Sequence, residues 1–258
     1  MRKLAFICLI ATAIFGMVPV MAASTNLGGD LPMIPCANVL TADNGRDGRI
    51  LYCPSEADDP GYRAAIAALL GGTVDYFDAR YSNPGATLLN TYDCAYVWAN
   101  YAFFDKVAFG NQLAAFVDQG GTVVMGSFCT YTSGNSLGGM IMTAAYSPVW
   151  SPSGSNHFMT SGYRGDGTTC IHTGVTAYDC QYRDYLTLQG TGIVDGHYND
   201  NEIGHAYRPD FKVIYSNGCG ASALGGTGQW PLLLANCGIP GGPSPVELSS
   251  WGQIKHRF

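Results

Sequence analysis

From residue 49 onward the chain alternates short apolar runs with longer stretches of helical spacing. Ile50-Leu51-Tyr52-Cys53 predicts a compact strand, and Asp59-Pro60 supplies a cap followed by proline at the first helical position, so that Tyr62 to Leu70 predicts a helix. Gly71-Gly72 ends it. Val74 to Phe77 predicts a second strand, Tyr92 to Ala99 a third, and Lys106 to Gln119 a second full helix closed by Gly120-Gly121. Thr122 to Phe128 is apolar almost throughout, as a strand buried on both faces should be. Strands separated by helices in this order call for right-handed crossovers and an α/β, doubly wound, mainly parallel sheet.

The periodicity weakens from Ser133 to Tyr185, a Gly/Ser/Thr-rich stretch with two cysteines that predicts a long insertion of little regular structure. Regularity returns with Gly192 to Tyr198, the turn Asn199-Asp200-Asn201 and Glu202 to Tyr207, a hairpin pattern. Phe211 to Ser216 predicts another strand. Thr227 to Cys237 predicts a closing helix, with Trp230, Leu233 and Leu234 on one face. Residues 239–245 form a Pro/Gly linker. The tail, 246–258, places Trp251, Ile254 and Phe258 on one side of a short helix, read either as a docked appendage or as a terminal recognition tag.

Hydrophobic residues make up 47% of the 258 and charged residues 12%, which excludes a disordered or polyelectrolyte chain. A net charge of −6 with 13 basic residues and no basic cluster excludes a nucleic-acid partner. Arg2-Lys3, the apolar run Leu4 to Val18 and the small residues around Ala22 read as a secretory signal peptide, residues 1–22. The run falls short of the ~20 residues that span a bilayer, so no membrane span is expected after cleavage. Export to the extracellular space or cell surface, or to a periplasm, follows, with 23–48 as an N-terminal extension and 49–238 as the folded domain.

Cys8 lies inside the apolar run, which leaves Cys36, Cys53, Cys94, Cys129, Cys170, Cys180, Cys219 and Cys237. An even count in an exported chain suits disulfide pairing, and the local pairs Cys170–Cys180 and Cys219–Cys237 are expected first, making the insertion a disulfide-stapled one. Buried free thiols are the alternative for Cys53 and Cys94. No Cys-x-x-Cys occurs and the five histidines are scattered, so neither a metal site nor a cofactor is expected.

Tyr92-Asp93-Cys94-Ala95-Tyr96-Val97-Trp98 and Gly110 to Val124, with its Val117-Asp118-Gln119-Gly120-Gly121, resemble the class I glutamine amidotransferase-like superfamily, especially its secreted, trehalose-utilisation-type relatives. The resemblance implies a flavodoxin-like sheet. It extends through the hairpin, Phe211 to Ser216 and Leu232-Leu233-Leu234-Ala235-Asn236, and leaves 133–185 unmatched. Catalytic members carry a nucleophilic cysteine at a Gly-x-Cys-x-Gly elbow directly after the fourth strand. Here Gly126-Ser127-Phe128-Cys129-Thr130 stands there, with phenylalanine in the nucleophile's place and Cys129 one residue late, a displacement that turns a strand side chain to the other face. The family's base is a histidine of a His-Pro-Glu motif after the last strand, where this chain has Tyr215-Ser216-Asn217. The resemblance therefore implies the fold without the glutaminase.

Three sets of residues carry candidate chemistry. Cys129 with His157 or His172, oriented by Asp166 or Asp179, would form a displaced nucleophile and base, against the expectation that Cys129 is disulfide-bonded. Glu56, Asp58 and Asp59 after the first strand and Asn100 to Asp105 after the third border the crevice outside the strand ends; they either work as acids, bases or calcium ligands, or cap helices and face solvent. The aromatics Tyr81, Trp98, Tyr101, Phe103, Phe104 and Tyr131 crowd the same edge. Exposed rings beside polar groups suit sugars, whose apolar faces stack on rings, although Trp98 at a strand end reads as core. The oxygen-rich segment Asp195 to Glu202 lacks calcium-loop spacing and reads as a hairpin turn. His205, Arg208 and Asp210 are expected to satisfy one another.

The function these features favour is an exported, non-catalytic domain binding carbohydrate or another cell-surface component through Glu56, Asp58, Tyr101, Asp105 and Tyr131. The second reading is a secreted hydrolase acting on glycosides or amides, with Cys129, His172 and Glu56 as its candidates.

Overall fold

The computed structural model describes residues 48–238. The predicted signal peptide, nearly all of the N-terminal extension including Cys36, the 239–245 linker and the Trp251 tail lie outside the described residues. Strands β1 (Arg49–Tyr52), β2 (Thr73–Tyr76), β3 (Cys94–Val97) and β4 (Thr122–Met125) alternate with helices α1 (Pro60–Leu70), α2 (Gly85–Leu89) and α3 (Lys106–Asp118). There follow β5 (Val149–Trp150), β6 (Ser161–Gly162), β7 (Tyr178–Cys180), β8 (Thr187–Leu188), β9 (Ile193–Val194), β10 (His205–Tyr207), β11 (Val213–Ser216), β12 (Thr227–Gly228) and α4 (Trp230–Gly238).

The central sheet has seven strands in the order β2-β1-β3-β4-β11-β10-β9. The first five are parallel neighbours, while β10 runs antiparallel to both β11 and β9. β3, β4 and β11 are buried at every position, which is why they read as unbroken apolar runs. α1 packs on α4, and α3 packs on α2 and β4. Asp59 caps α1 by accepting from Tyr62 N, with Pro60 opening the helix and Gly71, at φ 71°, closing it in the left-handed conformation. Asp105 caps α3 by accepting from Val107 N and Ala108 N.

The mixed α/β, mainly parallel architecture and the hairpin agree with the sequence pattern. Three expectations need correction. Residues 133–185 are not without regular structure: β5 pairs β8, and β6, β7 and β12 form a second small sheet. Each of these strands has only two or three residues, too few for an alternation to show. The predicted closing helix starts late, because Thr227–Gly228 is strand β12. The local disulfides do not form, since Cys180, Cys219 and Cys237 are buried free thiols, as are Cys53, Cys94 and Cys129. Cys219 Sγ instead accepts from Tyr96 O–H at 3.4 Å, and Cys237 lies at the far end of α4. No helix among the described residues is long and apolar enough to cross a membrane.

Candidate functional site

In the strand order, the chain leaves β1 for β2 on one side and returns for β3 on the other. The carboxyl ends of β1 and β3 therefore flank a crevice at the point where the winding reverses, the place where open α/β sheets take ligands. Glu56 and Asn100 project into it. Glu56 Oε2 accepts from Asn100 Nδ2 at 2.6 Å and Oε1 from Ala57 N at 2.6 Å, while Arg80 Nη1 stands 3.6 Å from Oε1. The Arg80 guanidinium lies over the rings of Tyr81 and Tyr101, 5.2 and 5.6 Å from their centroids. Both rings are exposed, Tyr81 at 72% and Tyr101 at 53%. The crevice thus presents two exposed rings, each with Arg80 over one face, beside a carboxylate and an amide held in fixed positions.

Beside it a cavity of about 200 Å³ is lined by Glu56, Asp58, Asp59, Trp98 and Ser222. Two of its three carboxylates are committed elsewhere. Asp58 forms a two-pronged ion pair with Arg63, at 2.7 and 2.6 Å. Asp59 caps α1 and accepts from Ser222 N at 2.8 Å; burial alone would raise its pKa, but these backbone donors hold it below the ordinary carboxylate value. Trp98 is fully buried, with its indole N–H donating to Tyr52. Of the predicted ligand residues, Glu56 and Tyr101 share the crevice, Asp58 and Asp105 are taken by Arg63 and by the α3 cap, and Tyr131 packs against Phe128 and Phe158 in the next loop.

That next loop is the elbow. After β4, Gly126 packs so closely on Trp98 that a Cβ there would lie 3.1 Å from the tryptophan's own Cβ. Phe128 takes φ 66°, the left-handed region that a bulky side chain normally avoids. Its ring packs against Tyr131, Tyr182 and Phe158, at 5.3, 5.6 and 6.3 Å between centroids. Cys129 points inward, fully buried, with Sγ 3.5 Å from Val97 O, and burial pushes its thiol far above the ordinary value. The expected disulfide at Cys129 is not present, and no imidazole among the described residues bonds its sulfur.

Beneath the elbow lies a buried carboxylate that the sequence pattern does not single out. Asp184 Oδ2 accepts from Thr130 Oγ1 and Tyr215 O–H, each at 2.6 Å, and Oδ1 accepts from Asn156 Nδ2 at 2.9 Å. Burial nevertheless holds its pKa above the usual carboxylate range. Asn217 exchanges hydrogen bonds with the Asp184 backbone, so Tyr215 and Asn217 both lock the insertion to the end of β11.

The histidines are each engaged away from Glu56, Asp58 and Asp105. His157 Nε2 pairs with Glu202 at 2.6 Å, and His197 Nδ1 with Asp166 at 2.8 Å. Asp179 accepts from Thr227. Arg208 pairs with Asp210 as expected, but His205 does not join them and bonds Ser216 and Tyr178 instead. His172 pairs with Asp195 at 2.8 Å, in the interior. Arg80, Asp184 and this last set are not legible in the sequence because their partners are distant in the chain; the short Asp78-Ala79-Arg80 spacing is the one local signal.

No protein-family model and no curated protein matches the chain. Among solved structures, a GMP synthase subunit from Thermoplasma acidophilum is similar at TM-score 0.51 and 9% identity, over 73% of this chain and 92% of that one. A ThuA-like protein from Bacteroides uniformis aligns at TM-score 0.45 and 12% identity, over 73% and 88% of the two chains. A glutamine amidotransferase from Thermotoga maritima aligns at 0.41 and 9%, over 66% and 74%. Likeness at these identities is likeness of fold. With its 2-1-3-4 parallel core alternating with helices, the chain shares the mixed α/β, mainly parallel fold of that GMP synthase subunit.

Proposed function

We propose that this chain is an exported, non-catalytic member of its fold class that binds carbohydrate at the switch-point crevice. The observation that carries the non-catalytic reading is Phe128. A phenyl ring, packed into an aromatic cluster, stands on the left-handed residue of the elbow, and the neighbouring thiol of Cys129 is buried, protonated and turned away. The seat of the family's base is filled by Tyr215, Ser216 and Asn217, whose polar atoms are spent inside the protein.

The binding reading is supported by the crevice itself. Tyr81 and Tyr101 offer exposed faces for the apolar side of a pyranose, while Glu56 and Asn100 offer an acceptor and an amide for hydroxyls. Export rests on the signal-peptide pattern of residues 1–22.

The test is a glycan array probed with the mature protein, followed by titration calorimetry of any hit, beside a turnover panel of glycosides, amides and esters. The expected result is binding without turnover, weakened at least tenfold in Tyr101→Ala and Glu56→Gln. Turnover that disappears in Glu56→Gln would establish the hydrolase reading instead, and turnover lost in Cys129→Ala would overturn the assignment of that thiol.

A further inference from the structure

A chain of five buried side chains joins the insertion to the main sheet. Ser216 Oγ lies 2.8 Å from His205 Nε2; His205 Nδ1 lies 3.1 Å from Tyr178 Oη; Tyr178 Oη lies 3.4 Å from His172 Nε2; His172 Nδ1 lies 2.8 Å from Asp195 Oδ2. All five are buried, His205 and Ser216 completely. Asp195 follows β9, His205 opens β10 and Ser216 ends β11, whereas His172 closes the 3-10 turn Cys170–His172 and Tyr178 opens β7.

With both imidazoles neutral, the chemistry allows a single order of protons. The Asp195 carboxylate also accepts from Thr168 N, Thr169 N and Thr169 Oγ1, so it takes the His172 proton on Nδ1. His172 Nε2 is then a lone pair and accepts from Tyr178 O–H. The Tyr178 oxygen accepts Nδ1–H of His205, whose Nε2 accepts from Ser216 O–H. Every proton points toward Asp195.

The rings are fixed in that geometry by their packing. Tyr163 stacks on both His172 and Tyr178, with centroids 4.8 and 4.6 Å away. Any Cβ at Gly167 would overlap the His172 ring, and one at Gly196 would lie 2.9 Å from its Cε1. The titratable groups facing the two imidazoles are Asp195, Tyr163 and Tyr178, with Asp166 acting on both tyrosines, and Tyr207 and Cys237 on the Asp195 side. Asp195 is the one carboxylate touching either ring among the described residues.

We propose that this chain is an acid-released latch: a proton taken up by His205 breaks the single proton order, and the small sheet of β6, β7 and β12 with the 3-10 turn lets go of the main sheet, which stays folded. With a second proton both His205 nitrogens are donors, so Ser216 O–H loses its acceptor. Two imidazoles with centroids 4.9 Å apart would then share one carboxylate. In the released state His205 is free to protonate near its ordinary value of about 6.5, so the opening equilibrium rises about tenfold for each pH unit below it. The device is independent of what the crevice binds.

Amide hydrogen exchange of the full chain, measured from pH 7.5 to 4.5 and corrected for intrinsic rates, tests the latch. Residues 168–180 and 195–198 should open with a slope of about one decade per pH unit below about 6.5, and at every pH with lower protection than the amides of α3, β3 and β4, which exchange on global unfolding. Flat protection of 168–180, or protection there equal to that of α3, β3 and β4 at every pH, overturns the proposal. His205→Gln retains an uncharged donor and acceptor, so its slope should vanish; a slope equal to wild type also overturns it. Should His205→Gln not fold, the regional contrast in the wild type decides alone.

Discussion

Phe128 carries a bulky ring on a backbone conformation that such side chains normally avoid. The elbow keeps a left-handed residue at φ 66°, a conformation costing about 1–3 kcal/mol, although the side chain there is a ring and not a nucleophile. The ring is retained by its contacts with Tyr131, Tyr182 and Phe158. Placing a thiol there by Phe128→Cys should yield no glutaminase activity in an ammonia-release assay, since the described histidines are engaged with Glu202, Asp195, Asp166 and Ser216; measurable release would contradict the proposed non-catalytic reading. Gly196 is a second single-residue constraint. At φ 95° and against the His172 ring it tolerates no side chain, and Gly196→Ala should cost about 2 kcal/mol or more in urea denaturation.

At the scale of elements, the carboxylates near the crevice divide by what holds them. Asp105 accepts from two backbone N–H groups at the start of α3 and stands outside the crevice chemistry. Asp105→Ala should lower stability by about 1 kcal/mol without changing glycan affinity, which thermal denaturation and calorimetry on one sample would show. Asp184 ties the elbow to the insertion and to β11 through three side-chain donors. Asp184→Ala leaves Thr130, Tyr215 and Asn156 without their acceptor in the interior, and about 3 kcal/mol should be lost in the same denaturation experiment. Composition places Asp58 and Asp105 near strand ends, where they read as ligand residues; the cap and the Arg63 pair become visible once the helices stand in place.

The whole molecule responds to pH through groups whose ionisation folding perturbs. Burial, and then the neighbouring His172, pushes the His205 pKa well below its ordinary value. The unfolded chain therefore binds a proton that the folded chain refuses, and stability falls as pH drops below about 6.5. Asp195 runs in the same direction at lower pH. Burial would raise its pKa, but the hydrogen bond from His172 with those from the Thr168 and Thr169 donors holds it down at about 2. Its contribution, roughly 2 kcal/mol, is complete above pH 4 and disappears as pH falls from there toward 2. Chemical denaturation midpoints at pH 7.5, 5.5 and 3.5 should decline in that order, with the first step reduced in His205→Gln.

The alternation of β1, α1, β2, β3, α3 and β4, the buried character of β3 and β4, the cap at Asp59 and the hairpin at 192–207 were legible in the chain itself, because each is written in neighbours a few residues apart: periodicity, a cap beside its helix, a turn beside its strands. What only the tertiary structure decided is every pairing between segments far apart in sequence. Arg80 over Tyr101, Asp184 under Thr130 and Tyr215, the free state of Cys180 and Cys219, and the run from Ser216 to Asp195 depend on where the insertion folds back on the sheet. Two- and three-residue strands carry no period of their own, and a buried polar side chain declares its partner only when burial has removed water as the alternative.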